Sequence, residues 1–417
     1  MLRYLRAYVN KYIFFIFIKG GKQMKKKILA SILAAGMVAS LAACGGSSSS
    51  GGDSAAASSA AEATSEAAEA ASSAAEATSE AADDAAAEDA GSEDSETDIM
   101  YTKADIEAAA DGLGDWEADY DMAISGDEAF TWGYIDMGFK DTFTTKIRNT
   151  FKYYCELNFP NVTINEGDGE MDPNRQLQLA ENFITQGVDA IILDPTDADG
   201  CLGIVELCQE AEMPLVLVNA IVHTDAMNNG IGFVGSDNYY AGQLEAEWII
   251  ANVDDSETVN MCYQRGQEGY DHTELRQKGV FETLDAAGYN YDLKAVLISD
   301  YMRDKAMNNA EDWTNSFGED IKVIPCCNDE SAMGTLQAYQ AAGLADGVSI
   351  LGIDANQDAL QEVKAGNLAC TVFQNGLAQA KWAAASAYDA CVNGTVETKG
   401  VDVPFELVDA TNIDDYL

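Results

Sequence analysis

The sequence predicts an α/β protein of two Rossmann-like lobes in tandem, and three observations predict it. Short unbroken apolar runs alternate with stretches of helical period, the pattern of a parallel sheet covered on both faces. Roughly 310 residues follow Tyr101, enough for two separate cores. Polar and aromatic side chains gather directly after the predicted strands, the end at which open parallel sheets hold ligands.

An acidic lead-in, whose residues 104–110 can form a helix, precedes the first series. Residues 130–137 read as a strand and 142–158 as an amphipathic helix, and a strand at 162–164 with a helix at 174–186 repeats the unit. Ala190-Ile191-Ile192-Leu193 and Leu215-Val216-Leu217-Val218 carry no polar side chain, as strands buried on both faces do, and a helix at 203–212 joins them. The second series follows Gly235-Ser236-Asp237. Helices at 241–252, 275–287, 305–317 and 331–342 alternate there with strands at 258–262, 295–298, 322–325 and 349–353. Two such series set the ends of both sheets beside a shared cleft.

Ahead of the lobes, Lys25-Lys26-Lys27 and the apolar run from Ile28 to Ala43, short for a bilayer span, read as a cleaved signal at 24–43. Leu41-Ala42-Ala43-Cys44 places a lipid on Cys44, where two acyl chains would hold the protein at the outer face of the cell membrane. Residues 1–23 add a second basic-apolar stretch that has no role before a signal, so Met24 is the expected start and 1–23 an untranslated segment, with an extended basic n-region as the alternative. Residues 44–100 are small and acidic, with the block from Ser58 to Ala68 repeated from Ser72 to Ala82. A stretch of that composition cannot bury a core and reads as a flexible tether.

The formal net charge of −46 repels nucleic acid and anionic surfaces and points to a neutral or cationic partner. Besides Cys44 the cysteines are Cys155, Cys201, Cys208, Cys262, Cys326, Cys327, Cys370 and Cys391, with neither zinc spacing nor a Cys-x-x-Cys pair among them. They read as buried small hydrophobes, and no metal or cofactor is expected. Asp197, Asp199, Gly200 and Glu206 stand at calcium-loop spacing, but Pro195 fills the first ligand position, which leaves a turn.

The candidate site residues each follow a strand. Asp141 and Phe143 come after the first, Asn219 after Val218, Tyr270, His272 and Arg276 after Tyr263, Tyr301 after Ile298, Asn328 after Pro325, Asp354 after Ile353, and Gln374 after Val372-Phe373. Carboxylates, amides, an arginine fork and aromatic faces suit a polyhydroxylated ring. Taken singly, Asp354 and Asn328 could only cap helices, Asn219 could be a turn residue and Arg276 could pair with surface acids. Their joint occurrence at strand ends favours a site.

Five stretches carry a resemblance: Gln186-Gly187-Val188-Asp189-Ala190-Ile191-Ile192, Met213 to Asn219, Asn328-Asp329-Glu330-Ser331-Ala332-Met333-Gly334, Gly352 to Leu360, and Lys364 to Leu368 with Thr371-Val372-Phe373-Gln374. From about Phe130 to the C-terminus the chain resembles the type I periplasmic sugar-binding proteins, most of all their galactose/glucose-binding branch. The resemblance implies a three-segment hinge near Ser236-Asp237, Gln374-Asn375 and Phe405. It implies an N-terminal lobe of 126–236 plus 375–404, a C-terminal lobe of 237–374 plus 405–417, and a ligand between them. Phe143 matches the aromatic that stacks on a pyranose and Asp141 the nearby carboxylate. Asn219, Asn328 and Gln374 match amides, Arg276 the arginine, Asp354 the second lobe's carboxylate, and Tyr301 the position of a stacking tryptophan. Ala220 in place of a basic residue, the altered pair Tyr270 and His272, and the absent calcium loop at 252–258 depart from the pattern.

The resemblance further implies the solute-binding lipoprotein of an ATP-driven importer. Such a protein is a monomer that closes on a small neutral galactose- or glucose-like sugar and is recognised by a membrane permease. A sensor presenting the closed form to a histidine kinase or chemoreceptor is the alternative. A glycosidase is disfavoured, because no motif sets two carboxylates about 5–9 Å apart across a bond.

Overall fold

The computed structural model describes residues 101, 103–109, 112–228 and 230–417. The expected leader, the lipid site at Cys44 and the tether lie outside them. No helix among the described residues is long and apolar enough to cross a membrane.

Each series folds into one lobe. In the first, β1 (Phe130–Asp136), β2 (Val162–Asp168), β3 (Ala190–Leu193), β4 (Leu215–Asn219), β5 (Gly232–Gly235) and β11 (Val401–Asp402) form a parallel sheet in the order β11-β5-β4-β3-β1-β2. In the second, β6 (Val259–Arg265), β7 (Tyr291–Ile298), β8 (Val323–Pro325), β9 (Ser349–Leu351), β10 (Cys370–Phe373) and β12 (Glu406–Asp409) are ordered β12-β10-β9-β8-β6-β7, with β12 antiparallel to β10. The central strands are buried on both faces, which is why their sequences are apolar without alternation.

The helices are α1 (Lys103–Ala108), α2 (Thr142–Asn158), α3 (Pro173–Gln186), α4 (Leu202–Glu210), α5 (Asn238–Asn252), α6 (Asp271–Ala287), α7 (Arg303–Phe317), α8 (Asp329–Ala341), α9 (Gln357–Ala365) and α10 (Gly376–Asn393). The chain passes between the two sheets after β5, after β10 and after β11. Although α10 follows a strand of the second sheet, its alanine-rich face packs into the first lobe, where Ala378, Ala380, Ala383 and Ala384 join Trp132, Ile192 and Val216 in one core. α5 and α6 approach so closely that a Cβ on Gly242 would lie 2.0 Å from the Arg276 carbonyl oxygen. That contact fixes the helix carrying Arg276.

The described cysteines are all unpaired, and every one except Cys391 is buried. The acidic lead-in does more than its composition suggests. Ahead of the lobe boundary expected at 126, Leu113, Trp116, Tyr120, Met122 and Ile124 pack on the first lobe's core, with Ile106 and Ala109 wholly buried in it.

Candidate functional site

Because all strands but one run parallel, their C-terminal ends from the two sheets face each other across a cleft with about 420 Å³ of free space, part of it open to solvent. Nine of the ten expected site residues line it: Asp141, Phe143, Asn219, His272, Arg276, Tyr301, Asn328, Asp354 and Gln374. Met137, Thr142, Thr144, Glu330 and Asn356 line it as well and were missed. Most of the missed residues sit one or two positions from a named one, so the same strand-end signal, read a little wider, would have found them.

The first lobe contributes the start of α2. Asp141 caps this helix by accepting from the Thr144 backbone N–H at 2.9 Å, and it still faces the cleft. Asn219 ends β4 in the left-handed region at φ 65°. Its Nδ2 donates to the Asp194 carboxylate at 3.3 Å, and its Oδ1 accepts from Gln374 Nε2 at 2.9 Å. Burial pushes the Asp194 carboxyl far above the usual range, and the Asn219 bond opposes this.

The second lobe contributes a buried cation. Arg276 donates through Nε to Asn238 at 2.9 Å, through Nη1 to the Cys327 carbonyl at 2.6 Å and through Nη2 to Gln374 Oε1 at 2.9 Å, and its Nη1 stands 3.8 Å from Asp354. It therefore does not pair with surface acids. Burial raises the Asp354 carboxyl to about 7, against the pull of Arg276 and with a further push from Asp141. Asp354 caps no helix, since the N-cap of α9 is Asn356. Asn328, in contrast, both caps α8 through the Ser331 backbone N–H and lines the cleft. Burial lowers the His272 pKa, against the pull of Asp271.

Backbone strain gathers at the same place. Asn219, Tyr301 (φ 60°), Asp354 (φ 125°) and Ala355 (φ 56°) all hold left-handed conformations. Such conformations cost about 1–3 kcal/mol each and persist where the surroundings enforce them, commonly at ligand clamps.

Two expectations change. Tyr270 does not line the cleft: it is 2 % exposed, its ring stacks on His272, and its hydroxyl lies 2.8 Å from Thr196 Oγ1 of the first lobe. Phe143, expected as the aromatic that stacks on a pyranose, lines the cleft but also belongs to the first lobe's core with Ile147, Phe151 and Leu377. Phe143→Ala should therefore lower unfolding stability by about 3–5 kcal/mol as well as weaken ligand binding. Urea denaturation without ligand checks this, and an unchanged midpoint would return Phe143 to the cleft alone. The segment 194–200 is a turn, with Asp197 Oδ1 accepting from the backbone of Asp199 and Gly200.

Residues 134–395 match the model of the periplasmic binding protein domain. A xylitol-binding protein of Mycolicibacterium smegmatis is 31% identical over 68% of this chain and 76% of its own length. A ribose import binding protein of Bacillus subtilis is 27% identical over 58% of this chain and 75% of its own. Among solved structures, an ABC transporter solute-binding protein of Bacillus halodurans with bound myo-inositol superposes with a TM-score of 0.64 at 28% identity, covering 70% of this chain and 99% of that one. These relatives are binding proteins and not enzymes.

Proposed function

The chain belongs to the type I periplasmic binding protein family, and from that premise we propose that it is the solute-binding component of an ATP-driven importer. Its solute is a small neutral polyhydroxylated ring, and its partner is a membrane permease that reads the closed form. The observation that carries this is the convergence of nine strand-end side chains from both lobes on one cleft. Acceptors (Asp141, Asp354), neutral amides (Asn219, Asn328, Gln374) and two aromatics suit hydroxyls above and an apolar ring face below. An anchor at Cys44, a location outside the cell membrane and a monomeric state belong to the same reading and rest on the sequence.

A pyranose of the galactose or glucose kind is our first candidate, and the relatives' solutes widen the panel to ribose, xylitol and myo-inositol. A thermal-shift screen over these compounds tests the proposal, because a ligand at one hundred times its Kd adds about 2.7 kcal/mol of stability. No shift with any neutral sugar or polyol, alongside a shift with an anion or a peptide, would overturn it.

Asp354 gives a sharper test. A hydroxyl donating to its carboxylate favours the ionised form, so the carboxyl pKa should fall on binding. Affinity is then constant above about pH 7, the ligand-free value, and weakens as pH drops below it. Asp354→Asn should remove that dependence and lower affinity at least about tenfold, the factor that 1.4 kcal/mol represents. Calorimetric titration from pH 5 to 8 measures both effects, and a flat wild-type profile would show that the carboxylate does not meet the solute.

A further inference from the structure

The residue that the cleft excludes joins the lobes at its mouth. We propose that Tyr270, Thr196 and the Gly269–Ala198 backbone pair form a latch that stabilises the closed form without touching the solute. This rests on the reading that the two lobes close around a ligand.

Each half of the latch belongs to a different lobe. Thr196 and Ala198 lie in the turn after β3, and Gly269 and Tyr270 lie in the loop after β6. The Tyr270 hydroxyl bonds Thr196 Oγ1 at 2.8 Å, and the Ala198 N–H donates to the Gly269 carbonyl at 3.0 Å. Met171 Sδ, also from the first lobe, is 3.9 Å from the same hydroxyl. Both latch side chains are almost wholly buried, Thr196 at 2 % and Tyr270 at 2 %. Separating the lobes breaks all of these contacts together and wets both side chains.

Each half is also held ready by its own lobe. The Thr196 backbone N–H donates to Gln176 Oε1 at 2.9 Å, and the Tyr270 ring is fixed between His272 and an edge contact with Tyr301 at 5.7 Å. Gly269 sits at φ 93°, and a Cβ there would lie 2.2 Å from Asp197 Oδ2. The Asp197 side chain is itself tied into its turn, so it cannot yield easily. A glycine at 269 is thus what lets the loop come against the opposite lobe.

A contact made only in the closed form changes the affinity of every solute by one factor, since it alters the closing equilibrium and no solute contact. The test uses Tyr270→Phe, which keeps the ring, Thr196→Val, which keeps the shape, and the double variant. Amide hydrogen exchange is followed in the ligand-free protein at 196–201, and affinities are measured for D-galactose, D-ribose and myo-inositol. Either single change should speed exchange of that segment severalfold while the strands of both sheets stay protected. Each should weaken whichever of the three solutes bind by a common factor of about threefold to tenfold, the range expected for one buried hydrogen bond. The double variant should be no worse than the worse single one.

Unchanged exchange, factors that differ between solutes, or effects that multiply in the double variant would each overturn the latch. If none of the three compounds binds, these three are excluded as solutes, and the exchange measurement still decides the latch on its own.

Discussion

Arg276→Met should abolish solute binding and destabilise the ligand-free protein by about 3–5 kcal/mol at pH 9, the usual consequence of removing one member of a buried ion pair and leaving its partners unmatched. The guanidinium is 3 % exposed and spends its donors on Asn238, the Cys327 carbonyl and Gln374, with Asp354 beside it. Methionine fills much of the space and satisfies none of these groups. Arg276, together with the Cys326 backbone, also opposes the upward push that burial exerts on the Glu245 carboxyl. Removing the cation therefore raises the pKa of both carboxyls further.

The sign of the pH dependence follows. A carboxyl whose folded pKa lies above its unfolded value stabilises the fold relative to high pH while it stays protonated, and that contribution is lost as pH rises through the folded pKa. Wild type loses its share from Asp354 near pH 7, and the variant loses it higher. The carboxyl thus sets the variant apart mainly by staying protonated to higher pH than in wild type, a state that accepts from a solute hydroxyl more weakly than the carboxylate does. The remaining penalty comes from unpaired amide, carbonyl and carboxyl groups. Urea denaturation at pH 9, with titration of solute at the same pH, gives both numbers. A variant that binds solute within tenfold of wild type would remove Arg276 from the site.

How much of this was readable in the sequence depended on burial. Ala190–Leu193 was legible to the residue because both of its faces are covered. β7 was expected from 295 but starts at Tyr291, since this edge strand alternates exposed Asp292 and Lys294 with half-buried partners, and an alternating start does not resemble a buried run. β5, β11 and β12, two to four residues long, gave no periodicity to detect. α6 begins at Asp271 where 275 was expected, and this places His272 and Arg276 one turn apart on a single helix face. Position after a strand could nominate Tyr270, but it could not say which way the ring turns. That is decided by Thr196, 74 residues away.

The lead-in shows the same limit and supplies the second large effect. A chain starting at Tyr101 should bind solute as the longer chain does, whereas one starting at Ser125 should lose about 3–5 kcal/mol of stability. Lys381, 2 % exposed in α10, directs its ammonium at the Ala109 carbonyl and at Glu117 Oε1, both at 2.8 Å. Glu117 also accepts from Trp382 Nε1 at 2.8 Å and from the Leu113 backbone N–H at 2.6 Å. Cutting at Ser125 removes every one of these acceptors and leaves a buried ammonium alone. It also uncovers the Trp382 face that Trp116 and Tyr120 cover, with ring centroids at 6.5 and 5.6 Å. Acidic composition concealed this segment because its few apolar residues fall at irregular intervals, and their partners lie more than 250 residues downstream. Denaturation midpoints of the two truncated chains decide the matter. If the chain starting at Ser125 unfolds where the one starting at Tyr101 does, Lys381 has found water or another acceptor, and the lead-in is no part of the first lobe's core.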